Sequence, residues 1–329
     1  MTDNTLHTSV KSKDNSVARE QILNCETKDE TGLNDFQKLP SEDQIPIPSV
    51  GVNRFRIPLK FHHKNENTVM SHDTHATLFI NLKKEKTGIN MSRLCSILNE
   101  QSLDEVVDYN FNKKLIDLYQ EKLRDYPDEK FLEKVQVKFE FNFPLKQKSL
   151  KSDNWGWQYY TCVLESIMTG GNDLKHFISV HYEYSSTCPC SLSMSKQYEK
   201  AWERGEIKDG NGIATAHSQR SGALTKVELT KQAVAEGFFI EDLVDLLRIA
   251  LPTETQSLVK RADEQAFAIL NGANPMFVEH ASKRVYKTLN ASNMIADWAV
   301  NIEHWESLHS HNAASIIYKG IDGGLTRAD

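Results

Sequence analysis

The chain has 329 residues, of which 39% are hydrophobic and 26% charged, and its formal net charge is -6. This composition supports a folded core, and the acidic balance argues against a nucleic-acid partner or a membrane-surface protein, which usually need a basic excess. No apolar run is long enough to span a membrane, the N-terminus lacks a secretory signal, and five cysteines are an odd number for a disulfide framework, so we expect a cytoplasmic protein.

Residues 1–45 are polar and lack a sustained apolar period, which predicts a disordered or loosely attached arm before a catalytic domain over residues 46–329. Apolar–polar alternation predicts strands at Thr74–Leu82, Val135–Phe143, Tyr159–Ile167, His176–Tyr184 and Leu224–Thr230. Helical spacing predicts helices beginning near Ser92 and at Lys113–Arg124, Ile240–Leu251, Thr255–Leu270 and Pro275–Leu289. Strands that alternate with helix pairs in two rounds indicate an α+β fold with antiparallel sheet.

The segment STCPCSLSMS, residues 186–195, directly follows a predicted strand and carries Cys188 and Cys190. A thiolate is a strong zinc ligand and a competent nucleophile. A free cysteine is equally often a small buried residue, so this segment alone leaves both interpretations open.

Two further segments contain polar groups of the kinds that bind metals and anions. ATAHSQRS, residues 214–221, carries His217 and Arg220, and histidine is the usual partner of cysteine at zinc, although a loop histidine that caps a strand is an alternative. LVKRADEQ, residues 258–265, places Glu264 one helical turn after Lys260 and Arg261, a pattern that a solvated helical face with ion pairs also explains.

The segment IEHWESLHSHNA, residues 302–313, combines three histidines with two glutamates. His309 and His311 are two residues apart and would share one face of an extended segment. Because acid, base and ligand types occur together, a functional role is favoured here. No glycine-rich phosphate-binding loop is present, so a nucleotide must be held in another way.

The ordered motifs GVNRFRIPL, TGINMSRL, CPCS, AHSQRS, KRADE and ESLHSH resemble those of type IB GTP cyclohydrolases, from about Val50 to about Ile316. The resemblance implies a tunnelling fold (T-fold) with two antiparallel-sheet modules and layered helix pairs. It also implies a homotetramer with active sites at subunit interfaces. The implied reaction is metal-dependent opening of the guanine imidazole ring of GTP to 7,8-dihydroneopterin triphosphate and formate, which begins tetrahydrofolate and queuosine synthesis, with Zn²⁺ or Mn²⁺ as cofactor.

Transferring the roles of the family motifs assigns most of the candidate residues. The implied metal ligands are Cys188, His217, Glu264 and His309. The implied catalytic group comprises Cys188, Cys190, Glu306, His309 and His311. The implied substrate contact is Glu279 at the purine edge. Our own candidates for the triphosphate contacts, which the family motifs do not assign, are Arg93, Arg220, Lys260 and Arg261.

The chain departs from the usual family pattern at Asn90, at Leu192 and in a longer interval between Cys190 and His217. The inserted YEKAWERGEIKDGNG is highly charged and turns at Gly210 and Gly212, which predicts a surface excursion.

Two alternative functions remain open at the level of sequence. A nitrile reductase of the same fold would use a cysteine on a deazapurine and would need a nicotinamide site. A non-catalytic, zinc-stabilised scaffold would have a closed site with four ligands.

Overall fold

The computed structural model describes residues 22–29, 31–123 and 132–329. Residues 1–21 of the expected arm, and Arg124 at the end of an expected helix, lie outside the described residues. The strands of the described chain are β1 (Ile47–His63), β2 (Thr68–Leu82), β3 (Lys134–Lys148), β4 (Trp155–Thr169), β5 (Asp173–Thr187), β6 (Ser218–Leu229), β7 (Ile295–His304) and β8 (Ala313–Tyr318).

Seven α-helices lie wholly within those residues, and a 3₁₀ turn at Phe36–Lys38 precedes β1. The helices are α1 (Met91–Ser102), α2 (Tyr109–Lys122), α3 (Pro189–Glu203), α4 (Lys231–Glu236), α5 (Ile240–Ala250), α6 (Arg261–Ala273) and α7 (Val278–Asn290). None of these helices is long and apolar enough to cross a bilayer.

The described strands form one sheet in the order β1 to β8, and every neighbouring pair is antiparallel. The expected T-fold with two separate sheet modules is therefore wrong. β4 and β5 pair continuously from Thr161–His181 to Thr169–Asp173, and a turn containing Gly170 joins them. A break at this point would leave two edges of unpaired backbone groups, which the continuous pairing avoids.

The helices cover one face of this sheet because its strands alternate. In β3, Val137, Phe139 and Phe141 are buried, whereas Lys138 and Glu140 between them face away from the core. The buried apolar residues of α1, α2, α4, α5 and α7 join the same hydrophobic cluster as those of the strands. Each fully buried large side chain in this cluster contributes about 1.5–3 kcal/mol.

The expected helix at Thr255–Leu270 begins later, at Arg261. The preceding segment pairs with β5 instead, since Ser185 N–H donates to Thr253 O at 2.8 Å and Thr255 N–H donates to Glu183 O at 3.2 Å. These bonds cover backbone groups of β5 beyond the end of its pairing with β4, and they take priority over the helical preference of the segment.

The inserted segment before His217 contains more regular structure than a surface excursion implies. Its first part continues α3, and Tyr198 O–H then donates to Asp209 O at 2.9 Å to close the following turn. A Cβ atom at Gly210 would lie 2.1 Å from Tyr198 Oη, and one at Gly212 would lie 2.4 Å from the Trp202 ring. Both glycines have positive φ, so any other residue there would strain the backbone as well as crowd the neighbouring aromatic side chain.

Part of the arm is described and contacts the body of the protein. Ser41 N–H donates to Glu85 O at 2.9 Å, and Thr87 Oγ1 donates to Leu39 O at 2.8 Å. The boundary near residue 45 and the loose attachment of the arm stay predictions.

Three buried histidines are held in the neutral form. Burial lowers the pKa of His63, His176 and His304 to about 4 in each case. Within the fold, His176 Nδ1 lies 2.8 Å from Ser166 Oγ, so its hydrogen-bonding requirement is met without a charge. An unfolded histidine titrates near pH 6.5, so between these values the unfolded chain binds more protons than the folded chain.

This difference predicts that the protein loses stability as pH falls from about 6.5 towards 4, with the full contribution present only above the unfolded pKa. In His176→Gln, the loss over that interval should be smaller by about 2 kcal/mol, because glutamine does not titrate. The measurement is urea unfolding at a series of pH values, with the exposed His62→Gln as control. An unchanged pH dependence in His176→Gln would contradict the assignment.

Candidate active site

Cys188 and His217 lie side by side at one end of the sheet. The last register pair of β5 and β6 is Thr187–Ser218, and Cys188 follows β5 where His217 precedes β6. Cys188 N–H donates to His217 O at 3.2 Å, and His217 N–H donates to Ser191 Oγ at the same distance. The sheet register thus brings together two side chains that are 29 positions apart in sequence.

Cys188 occupies the N-cap position of α3, with Pro189 at the first helical position. Proline is suited to that position because it needs no N–H partner there. The free N–H groups of this helix N-terminus carry partial positive charge beside Cys188. Cys188 is half-buried, Cys190 two residues later is exposed, and both are free thiols.

Glu306 approaches His217 from the continuation of β7. β6 pairs with β7 at Ser221–His304, and the same register carried onward places Glu306 opposite Gln219. Glu306 Oε2 lies 3.7 Å from His217 Nδ1, with only 13% of the Glu306 side chain exposed. That oxygen is buried and has no hydrogen-bond partner among the described residues. The site therefore contains a carboxylate oxygen that lacks a donor.

Gln219 connects His217 to a buried hydroxyl pair. Its Oε1 atom lies 3.1 Å from His217 Nδ1, and its Nε2 atom donates to Ser186 Oγ at 2.8 Å. Ser186 Oγ in turn lies 2.8 Å from Ser221 Oγ, and both serines are fully buried. These groups occupy the same face of β5 and β6 as His217, because strand side chains alternate.

A second buried pair lies beside Glu279. His304 Nε2 is 2.8 Å from Tyr184 Oη, and burial lowers the pKa of His304 while the nearby Glu279 carboxylate opposes that effect. Glu279 lies in the first turn of α7 and is exposed. The segment before α7 is fixed to the end of β5 by Met276 N–H, which donates to Thr187 O at 3.0 Å. Glu279 is therefore held near the end of β5 that carries Cys188.

His309 and His311 lie in the loop between β7 and β8, and both are exposed. Their rings stack with centroids 4.9 Å apart. They form an accessible imidazole pair at the same end of β7 as Glu306.

Lys260, Arg261 and Glu264 surround the N-terminus of α6 and are exposed. The buried Asp263 fixes this terminus, since its carboxylate accepts from Lys151 N–H at 2.7 Å and from Ser152 Oγ at 2.6 Å. These hydrogen bonds, Ser152's first, hold the pKa of Asp263 well below its usual range. The carboxylate therefore remains charged and caps the helix.

The remaining two arginines lie elsewhere. Arg220 projects from the face of β6 that does not carry His217. There it pairs with Glu183 Oε2 at 3.3 Å and lies 5.4 Å from the Trp305 ring. Arg93, on α1, donates to Lys122 O at 3.2 Å. The four cations expected at the triphosphate are thus divided among three positions of the chain.

The expected metal ligands are brought together only in part. Among residues 22–29, 31–123 and 132–329, no group of three or more histidine, cysteine, aspartate or glutamate side chains is arranged to hold a metal ion. Cys188 and His217 fit a divalent cation by donor chemistry, and the unpartnered Glu306 oxygen adds a negative charge beside them. Glu264 and His309 stay predicted ligands.

Sequence reasoning did not identify Gln219, Ser186, Ser221, Tyr184 or His304 as contributors. A signal was available, because Gln219 follows His217 by two residues and must share its face of a strand. Ser221, two residues further along β6, lies on the same face, whereas no comparable signal exists for Ser186 and Tyr184, which come from β5 and depend on the register.

Comparison with known proteins identifies the family of this chain. The family profile described as "GCHY-1: Type I GTP cyclohydrolase folE2" matches residues 33–315. The protein named GTP cyclohydrolase FolE2 of Dinoroseobacter shibae is 41% identical over 292 residues, which cover 88% of this chain and 74% of that protein. The protein of the same name from Cereibacter sphaeroides is 39% identical over 274 residues, covering 83% and 70% respectively.

A solved structure with a related shape is the uricase from Arthrobacter globiformis, with a TM-score of 0.47 and 10% identity over 84% of this chain and 94% of that one. Likeness at that level says nothing about function. The sequence matches are far stronger and extend over both halves of the sheet. The chain belongs to the type I GTP cyclohydrolase FolE2 family.

Proposed function

We propose that this protein is a GTP cyclohydrolase I, which converts GTP to 7,8-dihydroneopterin triphosphate and formate. The observation that carries the proposal is the apposition of Cys188 and His217 beside the buried Glu306 carboxylate. The family match over residues 33–315 supports the same reaction. The product would enter folate synthesis.

A divalent cation is proposed as cofactor, with Cys188 and His217 as its ligands within one chain. When bound, Zn²⁺ or Mn²⁺ would supply Lewis-acid activation of the attacking water. One thiolate and one imidazole favour zinc, whereas additional carboxylate ligands are compatible with manganese.

The side chains of the protein would carry the proton transfers. Opening the imidazole ring of guanine requires a proton at a ring nitrogen, and the exposed His309 and His311 are suited to donate it. Glu306 would supply negative charge beside the ligand His217, because its buried oxygen lies 3.7 Å from Nδ1. Cys190, exposed on the first turn of α3, is a secondary candidate.

Glu279 is proposed to hold the guanine edge. A carboxylate accepts two hydrogen bonds, and guanine presents adjacent amide and amino donors, whereas adenine does not. The tether from Met276 to Thr187 supports this role, since it fixes the start of α7 near Cys188.

The triphosphate is proposed to contact Lys260 and Arg261. These residues lie at a helix N-terminus, where backbone N–H groups and two cations together attract an anion. Arg220 and Arg93 stay weaker candidates, because one pairs with Glu183 and the other with the end of α2.

We further propose that the active site is completed in a homotetramer. Within the described chain, Glu264 and His309 do not join Cys188 and His217 in a metal-binding group. Ligands supplied by a second copy would complete the coordination that one chain begins. The alternatives of a nitrile reductase and a non-catalytic zinc scaffold receive no support from the sequence matches.

The first test is metal dependence. Removal of metal with a chelator should abolish formate release from GTP, and added Zn²⁺ or Mn²⁺ should restore it, because the attacking water needs activation. Formate is measured directly, and the stripped protein is checked for its folded state by circular dichroism. Full activity in the folded, stripped protein would refute the proposal.

The second test separates substrate binding from metal binding. Glu279→Gln presents an amide donor to the donor edge of guanine, so it should weaken the binding of a non-hydrolysable GTP analogue by at least about 2 kcal/mol without losing metal. Cys188→Ala should lose metal and turnover while it retains analogue affinity.

Lys287→Gln is the matched control, since it removes a charge from the last turn of the same helix α7. Calorimetry gives analogue affinity, and elemental analysis gives metal content. Normal analogue binding by Glu279→Gln, or a full metal complement in Cys188→Ala, would show that the role given to that residue is wrong.

A further inference from the structure

We propose that Gln219 is a positioning residue that holds His217 in the Nδ1–H tautomer and so leaves Nε2 with its lone pair. The inference deepens the proposed function, because only a deprotonated ring nitrogen can bind a metal or accept a proton. It concerns the imidazole itself and has a consequence in the metal-free protein.

His217 lies beside the buried Glu306 carboxylate. Glu306 Oε2 is buried, lacks a donor among the described residues and lies 3.7 Å from His217 Nδ1. A lone pair on Nδ1 would be repelled by this anionic oxygen, whereas an N–H group would bring a partial positive charge near it. The electrostatic environment therefore favours a proton on Nδ1.

The Gln219 amide has one orientation that fits a proton on His217 Nδ1. With a proton on Nδ1, the neighbouring amide atom at 3.1 Å must be the acceptor, which is Oε1. The Nε2 atom then faces Ser186 Oγ at 2.8 Å and donates to it. Both ends of the amide are satisfied in this orientation.

Two buried serines hold the Gln219 amide in this orientation. Ser186 Oγ accepts from Gln219 and lies 2.8 Å from Ser221 Oγ, so Ser186 can donate onward to Ser221. All three side chains are buried, and a reversed amide would place its NH₂ group against the Nδ1 proton of His217. The hydrogen bonds thus run in one direction from His217 to Ser221.

The consequence is a preorganised ligand. A histidine that donates from one ring nitrogen to a fixed acceptor has its tautomer and ring orientation set before the metal arrives. Nε2 is left as the coordinating atom. Loss of such a partner commonly weakens metal binding by about 10- to 100-fold.

The test compares Gln219→Leu with Ser218→Ala in metal-free protein. Gln219→Leu keeps approximate volume but removes the acceptor. Ser218→Ala is the matched control, because it removes a hydrogen bond to Thr187 from the adjacent residue on the opposite face of β6. Thermal unfolding confirms that both variants are folded.

The first readout is the tautomer of His217, measured from the ¹⁵N chemical shifts of labelled histidine. The wild type and Ser218→Ala should show the Nδ1–H form, and Gln219→Leu should show a mixture or the Nε2–H form. The second readout is Zn²⁺ affinity from chelator competition, which should fall about 10- to 100-fold in Gln219→Leu alone. Gln219→Asn, which is one methylene shorter, should restore neither property fully.

An Nε2–H form in the wild type would overturn the inference, and so would equal effects of Gln219→Leu and Ser218→Ala. The tautomer readout needs neither GTP nor metal. Absence of formate production by the wild type would therefore refute the proposed function while the Nδ1–H assignment still stood, and the two failures are distinguishable.

Discussion

The register of β5 against β6 is the constraint on which the candidate site depends. Their last pair is Thr187–Ser218, which sets Cys188 beside His217, and a slip of one residue would move His217 and its face partners to the other side of the sheet. Gly222 helps to fix this arrangement. A Cβ atom there would lie 2.6 Å from His181 Nε2 and 3.1 Å from the Trp305 ring, so a larger residue would displace these two side chains.

The opposite edge of β5 explains how distant segments reach the same site. Beyond its pairing with β4, this strand still presents backbone groups that need partners. Thr253 and Thr255 satisfy some of them, and Met276 satisfies the carbonyl of Thr187. The same bonds that complete the ladder thereby hold the segments leading into α6 and α7, so the positions of Lys260 and Glu279 follow from backbone hydrogen bonding.

Local pattern predicted much of the fold but not its continuity. The strands β2 to β6 and the helices α1, α2, α5 and α7 follow from period-2 and helical spacing. β7 could not be found in this way, because Trp298, Ala299 and Val300 are consecutively buried and the strand does not alternate. The division into two modules, which the family resemblance implied, was wrong, and spacing within a strand could not correct it because spacing does not identify the partner of a strand. The pair Gly170–Gly171, both with positive φ, marked the hairpin between β4 and β5.

The site shows the same boundary between what sequence can and cannot establish. Residue type indicated Cys188, His217 and Glu306, but the sequence does not reveal that the Glu306 oxygen is buried without a donor. Such a group costs free energy in the folded chain, typically about 1–3 kcal/mol, and more when it is charged. A fold retains that cost when the group is satisfied in the functional state, by a cation or by a proton that moves during the reaction. The proposed Nδ1–H form of His217 would place that proton near the Glu306 anion, 3.7 Å away, and would leave the other ring nitrogen for chemistry.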